Sequence, residues 1–104
     1  MKEITKDNLA IFNQEVGLSF IFIYTPFCGT CNVARKMLNT IEQMKGSLQF
    51  HAMNASLFPH VMQQYKIKSV PCLIVFRNGI AEEKIYAFHS VPYMYEKLQM
   101  YLPS

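Results

Sequence analysis

Two short, strongly apolar runs constrain the fold of this chain more than any other feature of its sequence. They span residues 18–24 and 72–76, and every position in them is apolar or aromatic except Ser19. A membrane-spanning helix needs about 20 apolar residues, so neither run can cross a bilayer. Because both runs are short and rich in β-branched and aromatic residues, they are typical of strands covered on both faces of a sheet. The sequence therefore predicts a sheet with a buried centre.

Helical patterns alternate with these strands. Apolar residues at helical spacing, with glycine or proline at the ends, predict four helices. They cover residues 6–16 after a cap at Thr5, the segment from Cys28 to Gly46, a segment that begins at Pro59, and residues 92–102. The predicted buried side of the second helix carries Val33, Met37, Leu38, Ile41 and Met44. Further strands are predicted at residues 2–4, 48–53 and 83–88.

The order of these elements predicts an α/β fold. Alternating helices and strands imply parallel strands joined by right-handed crossovers. Arg77-Asn78-Gly79 is a strong hairpin signal, so the last strand is expected to form an antiparallel edge. The prediction is a mixed four- to five-stranded sheet flanked by helices on both faces. A length of 104 residues suits a single domain over residues 1–104.

The composition excludes several classes of protein. Hydrophobic residues make up 51% and charged residues 16%, which is too apolar for a disordered tail or a charged coiled coil. The formal net charge is +3, but the basic residues are scattered, so no nucleic-acid partner is expected. No membrane partner is expected either. The first residues, Met1–Asp7, are polar and lack a signal-peptide core, so we expect a cytoplasmic protein.

Cys28 and Cys31 form a C-x-x-C pair between the first buried strand and the long helix. A helix N-terminus favours negative charge, so Cys28 is predicted to be partly thiolate and nucleophilic. Cys31 follows one turn later, within reach for a reversible disulfide. A structural zinc site needs four ligands, and the only other cysteine is Cys72. Redox chemistry is therefore favoured over metal binding, and neither a metal nor an organic cofactor is expected.

Several motifs together resemble the thioredoxin family. They are the first buried strand, the turn Phe27-Cys28-Gly29-Thr30-Cys31 with its helix, the Val70-Pro71 dipeptide and Phe76-Arg77-Asn78-Gly79. Pro71 lies 40 residues after Cys31 and Phe76 five residues after Pro71, spacings that are similar to those of thioredoxins. The resemblance covers nearly the whole chain. It implies the thioredoxin fold, thiol–disulfide oxidoreductase activity and a monomer.

The resemblance also implies a role for each matching residue. Cys28 would be the exposed attacking cysteine, Cys31 the buried resolving one, and Pro71 a cis-proline that faces both sulfurs. Protein disulfides would be the substrates, with electrons from a reductase or a low-molecular-weight thiol. Their docking surface would consist of Phe27, Ser69, Val70, Pro71, Ala87 and Phe88.

The chain departs from the usual thioredoxin pattern around the cysteines. Phe27 replaces a tryptophan, and Thr30 replaces a proline, which should make the couple more oxidising. The buried acidic residue of the family corresponds to Phe22 and its lysine partner to Ala52. The proton relay to the second cysteine is therefore missing or supplied by another group. The chain resembles a divergent thioredoxin-like protein of bacterial type.

Some interpretations stay open at the level of sequence. Cys72 is a buried apolar residue, a third redox thiol, or a metal or cluster ligand with Cys28 and Cys31. Arg35 is a thiolate-stabilising group or an ordinary exposed cation. His51 is expected at the surface or at a sheet edge. The protein is an oxidoreductase, a peptide- or partner-binding module with incidental redox activity, or a metal or iron–sulfur carrier.

Overall fold

The computed structural model describes residues 1–13 and 17–103, with side chains for all of these except residues 10–13. The strands are β1 (Lys2–Glu3), β2 (Leu18–Tyr24), β3 (Phe50–Asn54), β4 (Cys72–Arg77) and β5 (Ile80–Ile85). The α-helices are α1 (Gly29–Met44), α2 (Pro59–Gln64) and α3 (Val91–Gln99), with 3₁₀ segments at Lys6–Asn13 and Ala55–Leu57. None of the helices described is both long enough and apolar enough to cross a membrane.

The strands form one mixed sheet in the order β1-β3-β2-β4-β5. β3 lies between β1 and β2 and is parallel to both, whereas β4 is antiparallel to β2 and to β5. Cys72, the first residue of β4, pairs with Ile23 near the end of β2. The antiparallel part thus starts one strand earlier than the alternation of elements predicts. The connection from β3 to β4 contains one α-helix, the six-residue α2, which is about 9 Å long. It does not return the chain to the opposite end of the sheet, so β4 runs antiparallel to β3.

Each face of the sheet covers its own cluster of buried side chains. On one face, Phe20 and Phe22 of β2 pack with buried residues of α1 and α3. On the other face, Ile21 and Ile23 pack with Val61 of α2. The five central residues of β2 are all buried. The prediction of a mixed sheet with a buried centre and helices on both faces is therefore confirmed.

The buried side of α1 differs from the one that its bulky residues predict. It consists of Cys31, Ala34, Leu38 and Ile41. Val33 and Met44 are instead 56% and 55% exposed. The small side chain of Ala34 lets the helix lie close to the sheet, so the stripe through Ala34 faces the core.

The helix predicted over residues 6–16 is a 3₁₀ segment, Lys6–Asn13, with a kink at Asn8. Residues 14–16 lie outside the described part of the chain. The side chain of Asn8 accepts a hydrogen bond from the Thr5 N–H and donates one to the Glu3 carbonyl. Such local side-chain bonds compete with the α-helical pattern.

The last strand and the last helix begin and end earlier than predicted. β5 starts at Ile80 rather than at residue 83, because Asn78 and Gly79 both have positive φ and form a two-residue turn. The residues after Ile85 lead into α3, which ends at Gln99 rather than at residue 102.

His51 does not lie at a sheet edge. It belongs to β3, which β1 covers on its outer side. The side chain is half-buried, and its Nδ1 atom is buried without a hydrogen-bond partner. The edge position is wrong because the predicted strand at residues 2–4 pairs alongside β3, with Lys2 opposite His51.

Candidate redox-active site

The two cysteines of the C-x-x-C pair lie at the start of α1. Cys28 is the N-cap residue, and its Sγ accepts a 3.2 Å hydrogen bond from the backbone N–H of Cys31. The Cα atoms of the two residues are 5.2 Å apart, and their Sγ atoms are joined as a disulfide. The Thr30 hydroxyl lies 3.5 Å from the Cys28 sulfur. The geometry therefore suits a bond that forms and reopens within one helical turn.

The two sulfurs differ in their exposure. Cys28 is half-buried, whereas Cys31 is 2% exposed and packs in the core between α1 and the sheet. The unpaired N–H groups and the dipole at the start of α1 favour negative charge on the Cys28 sulfur. This arrangement presents one accessible sulfur to the solvent and keeps a second one behind it.

Phe27 immediately precedes Cys28, and its backbone forms the turn that leads into the cysteine pair. Its φ is 61°, in the left-handed region that a bulky side chain rarely adopts. Its side chain is fully exposed, at 105% of the reference area. An unfavourable backbone conformation and an exposed large apolar side chain beside a reactive sulfur both point to function rather than stability.

A groove runs beside the cysteine turn. The Val70–Pro71 peptide bond is cis, as the sequence predicts, and Pro71 contributes to the groove wall. The groove has a volume of about 350 Å³. Its lining residues are Thr30, Val33, Ala34, Met37, Pro71, Tyr86 and Phe88. The first turns of α1 and the residue just before β4 therefore face the same cavity.

The structure brings only part of the predicted docking surface into this groove. Pro71 and Phe88 line it, but Phe88 is only 6% exposed. The Phe88 ring forms the floor and packs edge-on against Phe22, with a centroid distance of 6.2 Å. The remaining predicted residues do not line it: Phe27, Ser69 and Ala87 are exposed, and Val70 is half-buried.

Five groove residues are absent from the predicted docking surface: Thr30, Val33, Ala34, Met37 and Tyr86. Helical spacing assigned Val33 and Met37 to the core. The same spacing contained the correct signal, since both follow Thr30 on one helix face, at three and seven residues. No local signal identifies Tyr86, because its place depends on how β5 leads into α3.

Cys72 lies on the opposite face of the sheet from the disulfide. It is a free, fully buried thiol in the cluster of Ile21 and Ile23, whereas Cys31 belongs to the other cluster. Burial raises the pKa of the Cys72 thiol to about 11, against smaller opposing effects of a hydrogen bond from Tyr86 and the charge of Lys84. Among the described residues, no three His, Cys, Asp or Glu side chains converge on a metal-sized site. The structure therefore favours a buried apolar role for Cys72.

Apolar residues occupy the place beneath the cysteines where the resemblance implies an acid and a lysine. Phe22 and Ala52 are fully buried and pair across β2 and β3. The guanidinium of half-buried Arg35 lies over the Phe22 ring, 5.5 Å from its centroid, and 4.5 Å from the centroid of Tyr24. Arg35 is therefore not an ordinary exposed cation.

The strand order, the disulfide at the start of a long helix and the cis-proline at the start of a facing strand define the thioredoxin fold. The sequence profile of the Thioredoxin family matches residues 2–98, and the chain belongs to this family. It is 40% identical over 99 residues to Thioredoxin-like protein YusE of Bacillus subtilis (strain 168), covering 95% of this chain and 92% of that one.

More distant proteins are similar to the chain as well. It is 23% identical over 104 residues to Thioredoxin M2, chloroplastic, of Arabidopsis thaliana. The match covers 99% of this chain and 55% of that relative, which is about half of the relative's length. A mutant thioredoxin from Halobacterium salinarum NRC-1 superposes with a TM-score of 0.83 over 99% of this chain and 91% of that one, at 13% identity. That likeness shows the fold. Family membership and the cysteine pair are together consistent with thiol–disulfide oxidoreductase chemistry.

Proposed function

We propose that this protein is a thiol–disulfide oxidoreductase that reduces or exchanges protein disulfides through Cys28 and Cys31. The supporting observation is the disulfide at the start of α1, with one accessible and one buried sulfur. The Cys28 thiolate attacks a client disulfide, and the second client sulfur leaves as a thiolate. Cys31 then attacks Cys28, forms the intramolecular disulfide and releases the first client sulfur. Two electrons pass from the protein to the client.

Electrons return to the pair from a reductase or a low-molecular-weight thiol. In this scheme the chemistry needs no bound cofactor, since both sulfurs belong to the chain. The chain acts as a monomer, as one domain over residues 1–104, in the cytoplasm.

The client docks as an extended segment beside Cys28. The proposed surface is Phe27, Ser69, Val70, Pro71, Ala87 and Phe88, with the Val70 backbone pairing with the client as a short added strand. The groove supports this proposal, because it places Pro71 and Phe88 beside Thr30.

Insulin reduction with three variants tests the assignment. Cys28→Ser should abolish turnover, because the accessible sulfur is lost. Cys31→Ser should accumulate mixed disulfides, visible on non-reducing gels, because the resolving sulfur is lost. Cys72→Ala is the matched control and should keep turnover, since Cys72 lies across the sheet. Full turnover by Cys28→Ser would refute the catalytic assignment.

The full exposure of Phe27 favours a second candidate, the capture of extended peptides without redox chemistry. Under that function, a peptide free of cysteine binds the double variant Cys28→Ser/Cys31→Ser as tightly as the wild type. Binding then weakens in Phe27→Ala. Loss of client capture in the double variant would instead favour the oxidoreductase.

A further inference from the structure

Arg35 holds a positive charge against two aromatic rings close to the cysteine pair. Its guanidinium carbon lies 4.5 Å from the centroid of Tyr24 and 5.5 Å from that of Phe22. The two rings are stacked on each other at 6.0 Å, with an angle of 11° between their planes. A guanidinium over aromatic faces is attracted to them, so these contacts fix where the charge lies.

Contacts from three elements fix this position further. The Tyr24 hydroxyl, at the end of β2, donates a 2.6 Å hydrogen bond to the Glu3 carboxylate on β1. The Nη1 atom of Arg35, on α1, lies 3.7 Å from the sulfur of Met1. The cation therefore cannot move away from the rings without breaking several contacts.

No carboxylate neutralises Arg35 directly. Within the described ranges 1–13 and 17–103, its guanidinium forms no salt bridge. Glu42, on the same helix, pairs at 3.0 Å with the ammonium group of Met1. The nearby Glu3 carboxylate accepts its hydrogen bond from Tyr24 instead.

Arg35 and the buried Cys31 are neighbours on the same helix, α1. Arg35 follows Cys31 by four residues, and helical residues at this spacing are neighbours with Cβ atoms about 5–6 Å apart. Phe22, over which the guanidinium lies, packs in the same buried cluster as Cys31. Because apolar side chains surround this region, the charge is screened less than it would be in water.

We propose that Arg35 is a positioning residue that stabilises the negative charge of the reduced Cys28–Cys31 pair and so shifts the equilibrium of the pair toward the dithiol form. This inference rests on the proposed oxidoreductase function. When two glutathione thiols reduce the pair, the Cys28–Cys31 bond breaks and a bond forms between the glutathione sulfurs. One proton stays on the reduced pair and the other goes to the solvent, so the two cysteines share one negative charge. A nearby cation stabilises that charge but not the uncharged disulfide.

The same charge should speed the release of clients. Cys31 attacks the mixed disulfide as a thiolate, so the rate rises with the thiolate fraction. The proton that Cys31 loses goes to the solvent, and the departing client sulfur takes one up. Arg35 thus supplies a charge near the second cysteine at a site where Phe22 and Ala52 supply none.

Replacement of Arg35 with a matched control tests the inference. The wild type and three variants are equilibrated at pH 7 with graded ratios of reduced to oxidised glutathione. The variants are Arg35→Gln, Arg35→Lys and Lys36→Gln. The disulfide fraction is measured by alkylation and mass spectrometry. Arg35→Gln should favour the disulfide about three- to tenfold more than wild type. Lys36→Gln removes an equal charge from an exposed neighbour, so it should differ by less than about twofold. Arg35→Lys keeps the charge and should stay near wild type.

Two further measurements separate an electrostatic role from a structural one. The release of a model client from its mixed disulfide with Cys28 should slow several-fold in Arg35→Gln alone. Melting temperatures of the oxidised and reduced forms are measured in parallel, because a structural role lowers both and leaves the glutathione equilibrium unchanged. If Arg35→Gln does not fold, the measurements are made on Arg35→Met, which keeps an apolar stem on the rings.

The outcomes distinguish this inference from the proposed function. An equilibrium shift in Arg35→Gln no larger than that in Lys36→Gln overturns the role of Arg35, while wild-type exchange leaves the function intact. A wild type that forms no glutathione-sensitive disulfide between Cys28 and Cys31 overturns the function itself.

Discussion

At the scale of single residues, the three cysteines show how position decides the chemistry of one side-chain type. Cys28 caps a helix at the surface, where backbone N–H groups favour its negative charge. Cys31 lies one turn later in the core. Cys72 is equally buried but on the other face of the sheet, away from both. Residue type and spacing alone do not separate these environments.

The environment of Cys72 predicts that it resists alkylation in the folded protein. With a pKa of about 11 and full burial, its thiol should react with iodoacetamide at pH 7.5 roughly a hundredfold or more slowly than Cys28. Peptide-resolved mass spectrometry of the reduced, folded protein measures both rates. The same reaction in denaturant is the control, in which all three cysteines react. Equal rates for Cys72 and Cys28 in the folded state would contradict this placement.

At the scale of elements, a polar cluster ties α3 and the residues after it to β5. Glu83 of β5 pairs at 2.9 Å with Lys97 of α3 and accepts a hydrogen bond from the Tyr101 hydroxyl. Burial by itself raises the pKa of Glu83, but the hydrogen bonds from Tyr101 and Lys97 outweigh it, so the pKa falls below its ordinary value. The ionised carboxylate therefore stabilises the folded state.

Replacing Glu83 should weaken this link in a pH-dependent way. We expect Glu83→Gln to lower the free energy of unfolding by about 0.5–1.5 kcal/mol at pH 7. Because the pKa of Glu83 is lowered on folding, its contribution to the free energy of unfolding is present above a pH of about 4.5. It is lost as the pH falls through the pKa of the folded protein. Urea unfolding at pH 7 and at pH 3.5 measures this difference. Glu96→Gln, which removes an exposed acid on α3, is the control for loss of charge. Equal effects of both variants at pH 7 would contradict the link.

At the scale of the whole molecule, the sheet and its covering elements leave His51 half-buried, with its Nδ1 atom buried. Burial lowers the pKa of His51, and the positive charge of Lys2 lowers it further. Above a pH of about 6.5, the histidine is neutral in both the folded and the unfolded chain. As the pH falls below that value, the unfolded chain takes up a proton that the folded chain resists, so the free energy of unfolding decreases.

We therefore expect His51→Gln to reduce the loss of stability between pH 7.5 and pH 5.5, a window in which ordinary carboxylates stay ionised. Urea denaturation at several pH values gives the slope for each protein. His60→Gln is the control for removal of an exposed histidine. An unchanged slope in His51→Gln would show that another group causes the acid sensitivity.

Much of the fold is readable from local patterns. The bounds of β2 match their prediction, and the hairpin turn at Asn78 and Gly79 is where the dipeptide places it. Both signals depend on residues within a few positions of each other. Some of the predictions that fail concern partners distant in sequence, such as the antiparallel pairing of β4 with β2. Their outcome depends on the path of a connection, which no short pattern encodes.

The sequence by itself determined the α/β class, the doubly buried strands and the cysteine pair at the start of a helix, because periodicity and capping act between near neighbours. Only the tertiary structure decided which stripe of α1 faces the sheet and which face of the sheet holds Cys72. It also placed Arg35 on the rings of Tyr24 and Phe22. Alternation along β4 puts Cys72 and Leu73 on opposite faces, but it does not say which face α1 covers. That choice follows from how separate elements pack, because the close-packed core forms only when all of them are in place together.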